Sequence, residues 1–131
     1  IVELEEGERV LGSERPRQAS ATFGRFAQAI RGVMRRQDLL ACETDARAWV
    51  IARDTGRNGA QALASRIAEA VRAAEPWRGV PLTVSVGTAV LGEDAQEAAG
   101  LISAAEEAKF AASASGIAVS RGLAGDQPED G

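Results

Sequence analysis

The run L-T-V-S-V-G-T-A-V-L from Leu82 to Leu91 constrains this chain most. It alternates apolar and polar residues at first, which predicts a strand with one buried face. Gly87 within it marks a bulge or the close approach of another backbone. Helical periodicity lies on both sides. From Ala60, the residues Leu63, Ala64, Ile67, Val71 and Ala74 recur at helical spacing and stop near Pro76. Beyond the strand, Ala98, Leu101, Ile102, Ala105, Ala108 and Ala112 mark another helix, which Asp94 is expected to cap and Gly116 to end. A strand enclosed by two amphipathic helices calls for a layered α/β arrangement.

The first half of the chain extends the pattern. Ile1 to Glu6 alternates and reads as a strand, and Glu6 to Gln18 reads as a charged loop. Ser20 or Thr22 is expected to cap a helix whose apolar face carries Phe23, Phe26, Ala27, Ile30, Val33 and Met34. Arg31, Arg35 and Arg36 fall near its end, where positive charge suits the helix dipole. Asp38–Cys42 and Ala48–Ala52 read as two strands of a hairpin around a polar turn. Asp54 to Gly59 reads as a loop, and Ile117 to Ser120 as a last strand. The predicted fold is α/β, of the α+β kind: a ferredoxin-like β-α-β-β-α-β core with an added helix and strand, its sheet mainly antiparallel and packed by helices. One domain over residues 1–121 is expected, followed by an acidic, disordered tail over 122–131.

Composition narrows the chemistry. The chain of 131 residues suffices for one core. It has no histidine, which removes the commonest general base and most zinc sites. Its single cysteine, Cys42, excludes an internal disulfide and fits a reducing, cytoplasmic compartment. A net charge of −4 argues against nonspecific nucleic-acid binding. No apolar run is long enough to span a membrane. The chain begins at Ile1, so it is expected to be a fragment, and whether the parent protein is membrane-anchored stays open. Heavy use of Ala, Gly and Arg fits a GC-rich bacterial genome.

Three stretches, in order, resemble the GGDEF domains, the family that makes cyclic di-GMP from two GTP molecules. Leu82 to Ala89 (L-T-V-S-V-G-T-A) is similar to the family's L-T-x-S-I-G-V-A strand. Ala105 to Gly116 (A-E-E-A-K-F-A-A-S-A-S-G) is similar to its A-D-x-A-L-Y-x-A-K-x-x-G helix. Arg35 to Cys42 (R-R-Q-D-L-L-A-C) is similar to the R-x-x-D stretch before the signature hairpin. The resemblance covers the chain from about Phe23 to Ser120.

The departures bear on catalysis. The resemblance puts the signature G-G-[DE]-E-F turn at Thr44 to Ala48, where this chain has T-D-A-R-A. Glycines there let the backbone approach guanine and phosphates, and the carboxylates hold divalent metal. Here Thr44 and Asp45 replace the glycines, Ala46 replaces one carboxylate and Arg47 reverses the charge of the other. Asp45 is displaced by one residue and so points to the opposite face. The metal-binding aspartate of the family's first strand falls near Glu3, its nucleotide-binding I-N-D-x-x-G-H segment is unrecognisable in Leu11 to Ala21, and its phosphate-contacting lysine is Ser113 here. Phosphoryl transfer depends on positioning and charge neutralisation. No catalysis, no resident metal and no cofactor are therefore expected.

What the resemblance leaves in place is the R-x-x-D stretch, in the family a site that binds cyclic di-GMP and inhibits the enzyme. It implies Arg35 and Asp38 as ligand-binding residues, completed by Arg66 on the next helix. Arginine suits this role because its planar fork pairs bidentately and stacks on bases. The plain alternative is a set of solvated charges, worth little as an ion pair. Acidic Glu3, Glu5 and Glu6 read as a strand edge, Trp49 and Trp77 as packing residues, and Cys42 as structural. The sequence thus implies a regulatory or sensory domain that binds cyclic di-GMP without turnover and acts on flanking domains, with a homodimer as a further option. The alternative is a structural or dimerisation module without a nucleotide site. A divergent cyclase, or a domain that binds GTP without turnover, is the third reading.

Overall fold

A computed structural model describes residues 1–4, 16–44, 47–74, 83–115 and 119–121. Among these described residues, five strands and three helices follow in the order β1 (Val2–Leu4), α1 (Pro16–Val33), β2 (Leu39–Thr44), β3 (Arg47–Ile51), α2 (Arg57–Ala73), β4 (Val84–Thr88), α3 (Ala98–Ser115) and β5 (Val119–Arg121). They form one sheet of order β2-β3-β1-β4-β5. The first four strands pair antiparallel, and β5 joins β4 in parallel through α3. This is the expected ferredoxin-like core with its added helix and strand.

Side-chain alternation sorts the two faces of the sheet. In register, Val2 lies beside both Ala48 and Val86, and Leu4 beside Val84. These residues bury against Phe26 and Ile30 of α1 and Leu63, Ala64, Ile67 and Val71 of α2. Burying a side chain such as Phe26, Ile30 or Ile67 contributes about 1.5–3 kcal/mol. The residues between them, Glu3, Arg47, Ser85 and Gly87, belong to the opposite face, which α3 approaches. The buried positions of α3 are Ala105, Ala108, Lys109 and Ala112, small residues apart from one lysine. Gly87 permits this approach, because a Cβ there would stand 2.2 Å from the Ala105 carbonyl oxygen.

Three helix starts differ from the sequence expectation. Helix α1 begins at Pro16, ahead of Ser20 and Thr22, which therefore do not cap it. Proline is well suited to a first turn, where its missing N–H costs no helical bond. Helix α2 begins at Arg57 inside the expected loop, after Asp54 turns the chain with a φ of 50°. Aspartate tolerates this left-handed conformation better than most residues. Helix α3 begins at Ala98, so Asp94 is not its cap. Asp94 instead accepts the Val90 N–H at 2.7 Å, while its own N–H donates to the Val90 carbonyl at 2.8 Å. That tight turn, with Gly92 at a φ of 93°, follows β4 and brings the chain round toward α3. Among the described residues no helix is long and apolar enough to cross a membrane. The expected tail over 122–131, Glu5, Glu6, Trp77, Asp45 and Ala46 lie outside the described residues.

Candidate functional site

The β2–β3 hairpin includes Thr44 to Ala48, where the family's signature would fall, and Arg47 is the first described residue beyond Asp45 and Ala46. Its side chain is only 16% exposed and meets three carboxylates. Nε donates to Glu43 Oε1 at 2.9 Å, Nη2 to Glu106 of α3, and Nη1 lies 3.6 Å from Glu3. The guanidinium also lies 5.6 Å from the centre of the Trp49 ring, whose Nε1 donates to Glu43 at 2.7 Å. Bonds from Trp49 and Arg47 hold the Glu43 carboxyl below the usual carboxylate range. Partial burial opposes the Arg47 charge, but its bonds to Glu43 and Glu106 outweigh it and raise the pKa.

Buried Lys109 completes the cluster by donating to the carboxylate of Glu3. A buried ammonium requires such a partner. Strand β1, the hairpin and α3 are thus tied together by alternating charges. The residue set does not fit a divalent cation, since a guanidinium and an ammonium already neutralise the carboxylates that face one another. Among the described residues, no group of three or more acidic, cysteine or histidine side chains is arranged to hold a metal ion. Ser113, at the family's lysine position, is exposed on the last turn of α3.

The R-x-x-D stretch forms a second, separate cluster in the connection from α1 to β2. A backbone bond from Asp38 N–H to the Arg35 carbonyl, 3.1 Å, closes the turn. The Asp38 carboxylate folds back to accept the Arg35 backbone N–H at 2.8 Å. Arg35 then forks onto it, with Nε 3.2 Å from both oxygens and Nη2 2.9 Å from Oδ1. The Asp38 side chain is fully buried and that of Arg35 is 39% exposed. Bonds from the Arg35 side chain chiefly depress the Asp38 pKa; its backbone bond and the Arg35 and Arg66 charges add to this, against the opposing effect of burial. Arg66 is exposed on α2 and acts on Asp38 through charge. The structure therefore brings Arg35 and Asp38 into direct contact, whereas Arg66 reaches Asp38 through charge alone.

Two further residues belong here that sequence reasoning missed. Arg35 Nη2 also donates to the Arg53 carbonyl at 3.0 Å and to Thr55 Oγ1 at 2.5 Å. At the hairpin, Lys109 was legible in principle, because a lone charge among Ala105, Ala108 and Ala112 on an apolar helix face demands a counter-charge. Cys42 is exposed on β2, and Trp49 is half-buried beside Arg47.

Comparison with known proteins agrees with this architecture. The sequence model for the diguanylate cyclase GGDEF domain matches residues 17–117. Among solved structures, the chain resembles a truncated form of TpbB (YfiN) from Pseudomonas aeruginosa that comprises only its GGDEF domain. The TM-score is 0.76 at 21% identity, covering 94% of this chain and 73% of that one. No curated protein matches. With the family model spanning most of the chain and the same fold around it, this protein belongs to the GGDEF-domain family.

Proposed function

We propose that this is a non-catalytic GGDEF domain that serves as a receptor for cyclic di-GMP and passes the signal to flanking domains. The observation that carries the reading is the contrast between its two clusters. At the signature hairpin, Arg47 and Lys109 fill with positive charge the place where phosphoryl transfer requires metal-binding carboxylates. At the R-x-x-D turn, a guanidinium fork and a carboxylate stand together, and the charge of a second arginine, Arg66, acts on the carboxylate. That set complements a guanine edge and a phosphate, the two groups a cyclic dinucleotide offers. A dimeric ligand held there can also bridge two copies of the domain.

Calorimetric titration with cyclic di-GMP tests this, with an Arg35→Ala, Asp38→Ala variant beside the wild type. Micromolar or tighter binding that the variant loses is expected. No binding by a folded wild-type domain refutes the receptor reading. Incubation with GTP and magnesium is expected to yield no cyclic di-GMP, and turnover refutes the non-catalytic reading.

A second reading, an interaction or dimerisation module without a ligand, is favoured by the edge of the sheet. Leu39 and Ile51 face each other across β2 and β3 and are 52% and 56% exposed. An open edge strand bearing exposed apolar side chains is a ready surface for another chain. Sedimentation of the ligand-free domain separates the two readings.

A further inference from the structure

The Arg35 guanidinium is already engaged before any ligand arrives. Its Nε–Nη2 edge holds Asp38. Nη2 carries only two hydrogens, yet three acceptors surround it: Asp38 Oδ1 at 2.9 Å, the Arg53 carbonyl at 3.0 Å and Thr55 Oγ1 at 2.5 Å. The Thr55 hydroxyl in turn donates to the Arg53 carbonyl at 2.7 Å, which fixes the orientation of its lone pairs toward Arg35. Nη1 takes no part in these bonds. On the other side, both Asp38 oxygens accept from Arg35 and the side chain is fully buried. A guanine edge cannot donate to that carboxylate, nor a phosphate take the bidentate fork, while this arrangement holds.

We infer that Arg35, Asp38, Thr55 and the Arg53 carbonyl form a clasp that keeps the site shut in the free domain. Thr55 is the positioning residue that sets how readily it opens to a guanine- and phosphate-bearing ligand. The inference rests on the receptor reading above and adds its regulation. Ligand binding exchanges the Thr55 and Arg53 contacts of Arg35 for contacts to the ligand, so the intrinsic affinity is reduced by the fraction of molecules that are closed. The clasp also joins the end of α1 to the start of α2 across the end of β3. Opening it therefore releases the α1–β2 turn from the β3–α2 connection, while the core contacts of Phe26 and Ile30 with Leu63 and Ile67 keep the helices themselves packed.

Thr55→Val removes the hydroxyl at nearly constant shape, and Thr55→Ser retains it. Thr55→Val removes one of the two acceptors that share the outer Nη2 hydrogen, together with the hydroxyl's own bond to the Arg53 carbonyl; this loss from the closed state predicts about two- to tenfold tighter binding of cyclic di-GMP, with Thr55→Ser near wild type. Exchange of the Arg35 Nε–H with water, followed by NMR in the ligand-free domain, reads the clasp without ligand: slow in the wild type, faster in Thr55→Val. Unchanged or weaker binding by Thr55→Val beside a wild type that binds overturns the clasp and leaves the receptor intact. Fast exchange in the free wild type also overturns it. If neither protein binds cyclic di-GMP, the receptor reading fails and the clasp fails with it as a gate.

Discussion

In a Gly87→Ala variant, the new Cβ would stand 2.2 Å from the Ala105 carbonyl oxygen, 2.4 Å from the Lys109 nitrogen and 2.9 Å from the Lys109 Cα. Ordinary contact begins at 3.4 Å, so α3 would have to retreat from β4 by about 1.2 Å. All three obstacles are helix backbone, so no change of rotamer relieves them. Retreat would thin the packing along β4 and pull Lys109 and Glu106 away from Glu3 and Arg47. Overpacking of this kind costs about 1–3 kcal/mol, and a rigid obstacle places Gly87→Ala at the upper end. For a domain of this size, that lowers the midpoint of thermal unfolding by about 10 °C. Circular dichroism melts, checked for two-state behaviour by calorimetry, measure it. Gly32→Ala is the control: it lies in α1 with nothing within 4 Å of the added methyl and should be neutral or slightly stabilising. A Gly87→Ala melt within about 2 °C of wild type would refute the claim that α3 rests on a bare backbone at this point.

Two other expectations concern the charge clusters. Arg47→Ala leaves Glu43 and Glu106 without their cation and should cost about 1–2 kcal/mol in urea unfolding at low salt, shrinking at about 1 M salt; a loss that salt does not change would mean the contribution is packing rather than charge. Asp38 has a pKa depressed in the folded state, so its stabilisation is present above the ordinary carboxylate range and fades as pH falls through that range toward the folded value. The stability gap between wild type and Asp38→Asn should therefore narrow on acidification, and a gap constant from neutral pH to about pH 3 would refute the linkage.

Element order and sheet composition were legible because they rest on apolar periodicity, which burial enforces. The alternation in Leu82–Leu91 locates β4, and the spacing of Leu63, Ala64, Ile67 and Val71 locates α2. Helix starts were less legible, since they depend on where backbone N–H groups find partners. Asp94 has the chemistry of a cap, but a turn five residues long reached it first, and its buried carboxylate also accepts from Arg57 at 2.8 Å. At the signature hairpin, the T-D-A-R-A sequence revealed that Arg47 reverses a charge, not where that charge goes. Its partners Glu3 and Glu106 come from opposite ends of the chain and meet only through the sheet. The spacing of Arg35 and Asp38 was visible in one line of sequence. Thr55 was not, because it reaches Arg35 across the whole hairpin.

The place of β1 in the middle of the sheet has a kinetic consequence. Val2 pairs with Ala48 on one side and with Val86 on the other, so the central strand joins neighbours from distant parts of the chain. The hairpin closes over a much shorter stretch and pays less loop entropy. Long-range strand pairing of this kind slows folding. Until Val84–Thr88 arrives, the inner edge of β1 has no partner and the apolar row of Val2, Ala48 and Val50 is only half covered. Assembly of the sheet is therefore set by the arrival of β4, and a chain shortened before Val84 would retain the sequence of the hairpin and both early helices yet lack the strand that locks its centre.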